Sequence, residues 1–282
     1  MKYVLLRYTF VFFIFSNSQA TFAQQNVDLR KEAISKVLFK GNYFSFYLSP
    51  YISQKAKTER QTGTYSLGAA NSSGIEVGSN YFINFNDNYS LIVGAHAGFS
   101  GRNFKLFIRK SDFIPNLEND INFQGRQTKD YALYLSAPIW IERRWIKKNN
   151  TIWNLDAGIN LRFDPDDAFY FYDFRGVDIN GQYNKVLNMD GEVGNNLKPW
   201  LNYNIGGGYS ILLSNYNFLR VNVLANISAT KVVNFNYTID VSGKPQSTGT
   251  YSSNLSYIGL SINYIFTGTN KRLLKLYEKN MK

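Results

Sequence analysis

Apolar and polar residues alternate along eight segments of this chain, most of them about ten residues or a little longer. In segment 153–163 every odd-numbered residue is apolar, and the even-numbered residues include Asp156 and Arg162. Successive side chains of a strand point to opposite faces, so this segment predicts a strand with one apolar and one polar face. The eight predicted strands are 41–51, 73–85, 89–99, 130–142, 153–163, 200–213, 218–234 and 251–266.

Charged residues on one face and an apolar stripe on the other are typical of a strand that faces lipid outward and a polar lumen inward. The pattern predicts an all-β fold, an eight-stranded antiparallel transmembrane β-barrel in the outer membrane of a Gram-negative bacterium. A ten-stranded barrel is the alternative if the region 176–190 adds a hairpin. A soluble periplasmic barrel is a second alternative, but such a barrel keeps its apolar face inside.

The connections between the predicted strands alternate in length. Those after the second, fourth and sixth strands are short, and those after the first, third, fifth and seventh are long. Outer-membrane barrels have short periplasmic turns and long external loops. An even strand number then leaves both chain ends in the periplasm.

Aromatic residues cluster near the predicted strand ends, where their rings would lie at the headgroup level. We expect one girdle at the periplasmic side and one at the outer side. The periplasmic set is Tyr81, Phe85, Tyr89, Trp140, Trp145, Trp153, Tyr216, Phe218, Tyr264 and Phe266. The outer set is Tyr51, Phe99, Phe104, Tyr131, Phe163, Trp200, Phe235 and Tyr251.

The first residues have the form of a cleaved export signal, with Lys2 and Arg7 before a short apolar core. The predicted signal is 1–23, with cleavage after Ala23; cleavage after Ala20 and a retained anchor are the alternatives. The predicted division then continues with a periplasmic N-terminal segment at 24–40, which includes a brief helix. The barrel occupies 41–266, and a basic periplasmic tail occupies 267–282.

The formal net charge is +11 and the chain contains no cysteine. The lack of cysteine excludes a cysteine-linked lipid anchor, disulfides and thiolate metal sites. A basic chain can bind nucleic acid, but for an exported barrel we expect none. Anionic outer-membrane lipid and lipopolysaccharide are the expected partners.

The end of the eighth predicted strand resembles the terminal-strand motif of outer-membrane barrels, with Gly259, Tyr264 and Phe266 at its characteristic positions. The resemblance implies that the barrel-assembly machinery reads this strand, although here more residues follow it. Segment 133–141 resembles the Leu-x-Ile-Pro-Leu signature of the Bacteroidota small outer-membrane β-barrel family, which includes PorT-like proteins associated with secretion. That resemblance implies an outer-membrane location and usually no known enzymatic activity. Another envelope protein is a further expected partner.

The predicted inward faces carry Glu76, Glu142, Asp156, Arg162 and Arg220. An eight-stranded barrel is only wide enough for side chains to fill it, so these charges must pair. The only histidine, His96, also points inward. We predict a closed polar lumen in which Glu76, His96, Asp156, Arg162 and Arg220 form one network, with His96 hydrogen-bonded rather than catalytic.

Two loop features suggest binding. The acidic run 164–167 together with Asp173 is a candidate cation site, although it lacks a calcium-loop pattern, and we expect no metal or cofactor. The aromatic run 169–174 is either an exposed binding surface or a set of rings that stack across extended strands.

These observations predict a non-enzymatic outer-membrane barrel with a structural or partner-binding role, for which an accessory to a secretion or assembly complex is the candidate. A narrow pore for small solutes is the first alternative, and a lipid-modifying outer-membrane enzyme is the second.

Overall fold

The computed structural model describes residues 39, 41–124, 130–146, 151–165, 168–193, 198–213 and 215–268. The predicted export signal, the N-terminal segment apart from Phe39, and the tail beyond residue 268 lie outside the described residues. No helix among the described residues is long and apolar enough to span a membrane.

Sixteen strands form within the described residues. In chain order they are β1 (Tyr43–Ser53), β2 (Lys57–Thr62), β3 (Gly68–Ala69), β4 (Ser73–Asn84), β5 (Tyr89–Arg102), β6 (Phe104–Ile108), β7 (Ile121–Gln124), β8 (Asp130–Ile146), β9 (Thr151–Phe163), β10 (Ala168–Val177), β11 (Tyr183–Val193), β12 (Trp200–Leu212), β13 (Phe218–Ser228), β14 (Val233–Ile239), β15 (Ser247–Ser253) and β16 (Tyr257–Phe266). A short 3-10 helix lies at Lys110–Asp112.

Eight of these strands close into a barrel in the order β1-β16-β13-β12-β9-β8-β5-β4, and every neighbouring pair is antiparallel. The predicted all-β class and closed eight-stranded barrel are therefore confirmed. The barrel strands show the expected alternation. Along β1 every second residue, starting from Tyr43, is buried, and the residues between them are exposed.

The barrel has apolar side chains outside and polar side chains inside. Outward residues include Phe46, Ile141 and Ile258, which are 60 to 66% exposed, whereas the inward Ser45, Asn160 and Asn226 are at most 1% exposed. Water does not favour such a large contiguous apolar surface, so this wall is built to be covered.

The short connections follow Asn84, Ile146 and Leu212, and these strand ends all lie at one end of the barrel, which we call the short-turn end. The four long connections lie at the other end and fold there. Together β2, β3, β6, β7, β10, β11, β14 and β15 form the cap, which consists of a five-stranded sheet in the order β10-β11-β14-β15-β2 and a three-stranded sheet in the order β3-β6-β7.

Two strand predictions extended too far, and the ten-stranded alternative is wrong. The predicted strand 218–234 ends at Ser228, and the predicted strand 251–266 begins at Tyr257, because the flanking residues belong to β14 and β15. Apolar and polar residues alternate in the barrel strands and in the cap strands that flank them. The alternation therefore could not show where the barrel ends and the cap begins. The hairpin of β10 and β11 exists, but β11 pairs with β14 in the cap.

The cap has its own hydrophobic core. It consists of Leu67, Phe104, Leu106, Ile108, Phe113, Leu117, Ile121, Val186, Leu187, Met189, Trp200, Val232, Val233, Phe235, Tyr237, Ile239, Val241, Tyr251 and Leu255. Sheets that pack around a buried core form a stable folded layer. The cap is therefore a folded layer and not a set of separate loops.

The aromatic prediction was partly wrong. At the short-turn end Tyr81, Phe85, Tyr89, Trp145 and Trp153 are exposed as a girdle requires, but Trp140 and Phe218 are buried inside the barrel.

At the other end the predicted girdle is mostly absent. Phe99 is exposed, but Phe104, Trp200, Phe235 and Tyr251 belong to the cap core and Tyr51 is buried in the lumen. These rings are inside because the cap offers them an apolar interior.

Asp178 holds the turn between β10 and β11. Its Oδ1 accepts the backbone N–H groups of Asn180 at 2.8 Å and Gln182 at 2.9 Å, and its Oδ2 accepts the Asn184 amide at 3.2 Å. The hydrogen bond from the Gln182 backbone, followed by those from Asn180 and Asn184, lowers the pKa of the Asp178 carboxyl below its usual value.

We expect this lowered pKa to make the cap acid-sensitive. A carboxyl with a lower pKa in the folded state stabilises the fold above its unfolded pKa, and that stabilisation disappears as the pH falls through the folded pKa. The cap should therefore lose stability below about pH 4 in the wild type and lose less of it in Asp178→Asn. Limited proteolysis of both proteins between neutral pH and pH 2 measures the difference, and identical pH profiles would contradict it.

Candidate functional site

The short-turn end of the lumen is filled by apolar and aromatic side chains. Phe39 stacks on Phe218 with ring centroids 5.0 Å apart, and the Arg144 guanidinium carbon lies 4.0 Å from the Phe39 ring centroid. We call this group the plug. Its buried members are Phe39, Tyr43, Tyr47, Phe82, Ile92, Trp140, Ile152, Phe218 and Ile265.

Glu76 on β4 is the centre of a first polar cluster in the lumen. Its Oε2 accepts the Tyr257 hydroxyl at 2.7 Å and the Tyr134 hydroxyl at 3.2 Å. The same oxygen accepts a hydrogen bond from Nη2 of Arg162 at 3.3 Å. The guanidinium carbon of Arg162 lies 4.2 Å from the centroid of the Tyr134 ring. The carboxylate is thus held by one cation and two phenols from three other strands.

His96 on β5 belongs to this cluster. Its Nδ1 lies 2.9 Å from Oε1 of Glu76, and its Nε2 lies 2.9 Å from Oδ1 of Asn80. The ring stacks on Tyr47 at 4.0 Å with an interplanar angle of 5°. Both ring nitrogens are engaged and neither contacts a hydroxyl, whereas nucleophilic catalysis needs a hydroxyl within hydrogen-bond reach of the base.

Arg220 on β13 is the centre of a second cluster. Its Nη2 donates to Oδ2 of Asp156, and its Nη1 lies 3.0 Å from Oε1 of Glu142 as an ion pair without hydrogen-bond alignment. Oε2 of Glu142 accepts the Ser90 hydroxyl at 2.5 Å, and Asn222 donates to Oδ2 of Asp156 at 2.6 Å.

Buried charges within the barrel strands are balanced among the described residues. The carboxylates are Glu76, Glu142 and Asp156, and the cations are Arg144, Arg162 and Arg220. Pairing of this kind is needed because a single buried ion without a partner carries a large desolvation penalty.

All five residues predicted for the lumen network lie in the lumen, but they divide between two clusters. Glu76, His96 and Arg162 share the first cluster, while Asp156 and Arg220 share the second.

Several lumen residues were missed from the sequence. Arg144 donates to Oδ1 of Asn84 at 2.7 Å and to the backbone oxygen of Asn86 at 2.9 Å, so it closes the short-turn end. The first cluster is also lined by three buried tyrosines, Tyr51, Tyr134 and Tyr257. The alternation along the strands could have identified these tyrosines. Each lies one position from an outward apolar residue, so its own side chain must point inward.

Inward glycines make space for these rings. A Cβ at Gly98 would lie 2.2 Å from the Tyr134 ring, and one at Gly74 would lie 2.2 Å from the Tyr51 ring. A side chain at either position would force the tyrosine to move.

The residues of the terminal-strand motif lie at the seam between the first and last strands. Phe266 packs against Tyr264 at 4.9 Å and against Phe46 of β1 at 5.4 Å, both edge to face. Gly259 faces inward, where a Cβ would lie 2.7 Å from the Tyr51 Cβ.

The two predicted loop sites are not assembled among the described residues. No group of three His, Asp or Glu side chains that could hold a metal occurs there, and Asp166 and Asp167 of the candidate cation site lie outside them. In the aromatic run, Tyr172 and Phe174 pack half-buried against the cap core, so that part of the run is not an exposed surface. The side chains of residues 169–171 lie outside the described part.

No protein-family model matches the chain, and no curated protein matches its sequence. Among solved structures, the chain is similar to the outer membrane protein OprG from Pseudomonas aeruginosa, with a TM-score of 0.39 and 7% identity over 80% of this chain and 96% of that one. It is also similar to neisserial surface protein A, with a TM-score of 0.30 and 12% identity over 79% of this chain and 98% of that one.

A third similar structure is Ail, the attachment invasion locus protein of Yersinia pestis, in complex with the heparin analogue sucrose octasulfate. Its TM-score is 0.27, with 11% identity over 79% of this chain and 99% of that one. All three are distant, so the fold of this chain is established by its own strand pairing.

Proposed function

We propose that this chain is an outer-membrane barrel that carries a folded cap on the cell surface and acts by binding a partner, without conducting solutes or catalysing a reaction. The cap is the observation that carries the proposal, because all four long connections contribute strands to it and it has its own core. Rigid scaffolds that hold surface connections in place are where binding functions concentrate.

The outward wall supports a membrane location. A closed barrel satisfies all of its backbone groups between strands, which is the condition for crossing lipid. Its exposed residues are largely isoleucine, leucine, valine and phenylalanine. The rule that outer-membrane barrels have short periplasmic turns then puts the short-turn end in the periplasm and the cap outside.

The lumen argues against the pore alternative. The plug fills the short-turn end, and the two ionic clusters cross the barrel beyond it. The geometry of His96 argues against the lipid-modifying enzyme, since Glu76, Asn80 and Tyr47 occupy both nitrogens and one face of the ring.

The finer parts of the proposal come from the sequence. The resemblance to the PorT-like family supports another envelope protein of a secretion or assembly complex as the partner. The terminal-strand residues Gly259, Tyr264 and Phe266 support recognition by the barrel-assembly machinery after export through a cleaved signal. The surrounding lipid and lipopolysaccharide are the remaining partners.

We expect the purified full chain to show no steady conductance in planar bilayers, because the plug and both ionic clusters would have to move to open a path. A matched large-pore porin, inserted under the same conditions, provides the positive control. A stable open state of order nanosiemens would overturn the closed-lumen part of the proposal.

The binding role is tested by isolating the tagged full chain from its native outer membrane in mild detergent and identifying what co-purifies by mass spectrometry. A protein recovered in near-equal amount supports the proposal and identifies the pathway. A barrel recovered repeatedly alone, after chemical crosslinking in cells as well, would contradict it.

A further inference from the structure

A cleft of about 500 Å³ opens on the barrel wall next to the cap. Toward the barrel it is lined by the outward apolar residues Ile52, Ala225, Ile227 and Ile258. Toward the cap it is lined by polar residues, of which Gln54 and Ser256 follow and precede barrel strands. The cleft is therefore amphipathic along the barrel axis.

The cleft exists because the seam between β13 and β16 opens before β13 ends. The pairing of these strands stops at Asn226 and Tyr257, while β13 continues to Ser228. The Ser256 carbonyl instead accepts the backbone N–H of Gln54 on the β1 side at 2.7 Å. Beyond this point only side chains of residues before β16 are bonded to Ser228 of β13: the Ser256 hydroxyl accepts its N–H at 3.0 Å, and the Asn254 amide donates to its carbonyl at 2.8 Å.

A small side chain deepens the cleft below this opening. Ala225 pairs with Ile258 of β16 on one side and with Ile205 of β12 on the other. Its methyl group takes less space than an isoleucine side chain, and with Ile52, Ile227 and Ile258 it lines the apolar part of the cleft, which we call the groove.

We propose that this cleft binds one acyl chain of a membrane lipid, with the ester carbonyl at the polar end near Gln54 and Ser256. The inference rests on the membrane location proposed above. The volume falls within the range of about 300–1,000 Å³ that is usual for ligand pockets. The apolar groove opens on the lipid-facing wall, so the occupant comes from the bilayer itself.

The test counts the lipids that remain on the full chain after reconstitution with phosphatidylethanolamine and detergent washing, by native mass spectrometry. Ala225→Trp fills the groove. Ala157→Trp is the matched control, since Ala157 is an exposed outward alanine that pairs with Ile141 and Ile205. We expect one retained lipid in the wild type and in Ala157→Trp, and at least about tenfold lower retention in Ala225→Trp.

Equal retention by both tryptophan variants would overturn the inference, as would retention of added free myristic acid without retention of phospholipid. Heat-modifiable gel mobility checks that each variant folds, and Ala225→Leu replaces Ala225→Trp if the latter does not. Flotation with liposomes separates the two proposals. A folded chain that does not float contradicts the membrane location, whereas one that floats without retaining lipid contradicts only the cleft.

Discussion

Replacing Arg220 by methionine is expected to destabilise the barrel by about 3–5 kcal/mol, because Glu142 and Asp156 would both lose their shared cation inside the lumen. Methionine keeps most of the side-chain length, so the loss reports on charge more than on packing. The measurement is the free energy of unfolding in detergent, from urea titrations followed by tryptophan fluorescence.

Arg143→Met is the matched control for Arg220→Met. Arg143 is exposed on the outward face of β8 and contacts the Trp145 ring at 4.9 Å, so its loss should cost less than about 1 kcal/mol. Adding Asp156→Asn to Arg220→Met should recover part of the stability, since one uncompensated carboxylate is removed. Equal unfolding free energies for the wild type and Arg220→Met would show that the cluster does not stabilise the lumen.

Replacing Phe235 by alanine is expected to unfold the cap while the barrel stays closed. Phe235 is buried in the cap core and contacts the rings of Phe104 and Tyr251. A buried Phe→Ala change costs about 3–5 kcal/mol, which is comparable to the stability of a small layer of this kind. Limited proteolysis should therefore cut the cap connections, while heat-modifiable mobility of the barrel persists.

Phe107→Ala is the control for Phe235→Ala, because Phe107 lies on a cap strand but is 54% exposed. It should leave the protease pattern unchanged. If Phe235→Ala abolished heat-modifiable mobility as well, the cap and barrel would unfold as a single unit and the expectation would be wrong.

The barrel was predictable because a strand has a period of two and each face meets a different medium. In β9 the even positions apart from Gly158 are buried, Asp156 and Arg162 among them, and most of the odd positions are exposed. This rule applies within one strand and does not require knowing which strands pair. The alternation of short and long connections then showed which connections lie at the same end of the barrel.

The cap was not predictable from the same rule. In the barrel strands most apolar residues face outward, whereas in the cap strands they face a buried core. In β14 the apolar Val233, Phe235 and Tyr237 point into a core, whereas Val223 and Ile227 of β13 point outward. The pairing that builds the cap is also long-range: Tyr251 of β15 lies beside Thr58 of β2, far away in sequence. Local alternation carries no information about such partners.

The sequence predicted which side chains point into the lumen, but not which of them contact one another. Parity puts Glu76, His96 and Arg220 inside, yet it does not say which groups meet, because each contact depends on the register between strands. Parity also puts Tyr134 and Tyr257 inside, but tyrosine occurs on both faces of the barrel strands, as the exposed Tyr203 shows, so its chemistry alone does not mark it as a lumen residue.

The pairing of β2 with β15 continues, outside the barrel, the pairing of β1 with β16 that closes it. The first and last strands of the barrel are thus fastened twice, once in the wall and once in the cap. Three residues separate β1 from β2 and three separate β15 from β16, so the joint surface of β2 and β15 exists only where the ends of β1 and β16 lie side by side. An antibody that recognises this surface would therefore distinguish closed barrels from molecules whose first and last strands are apart.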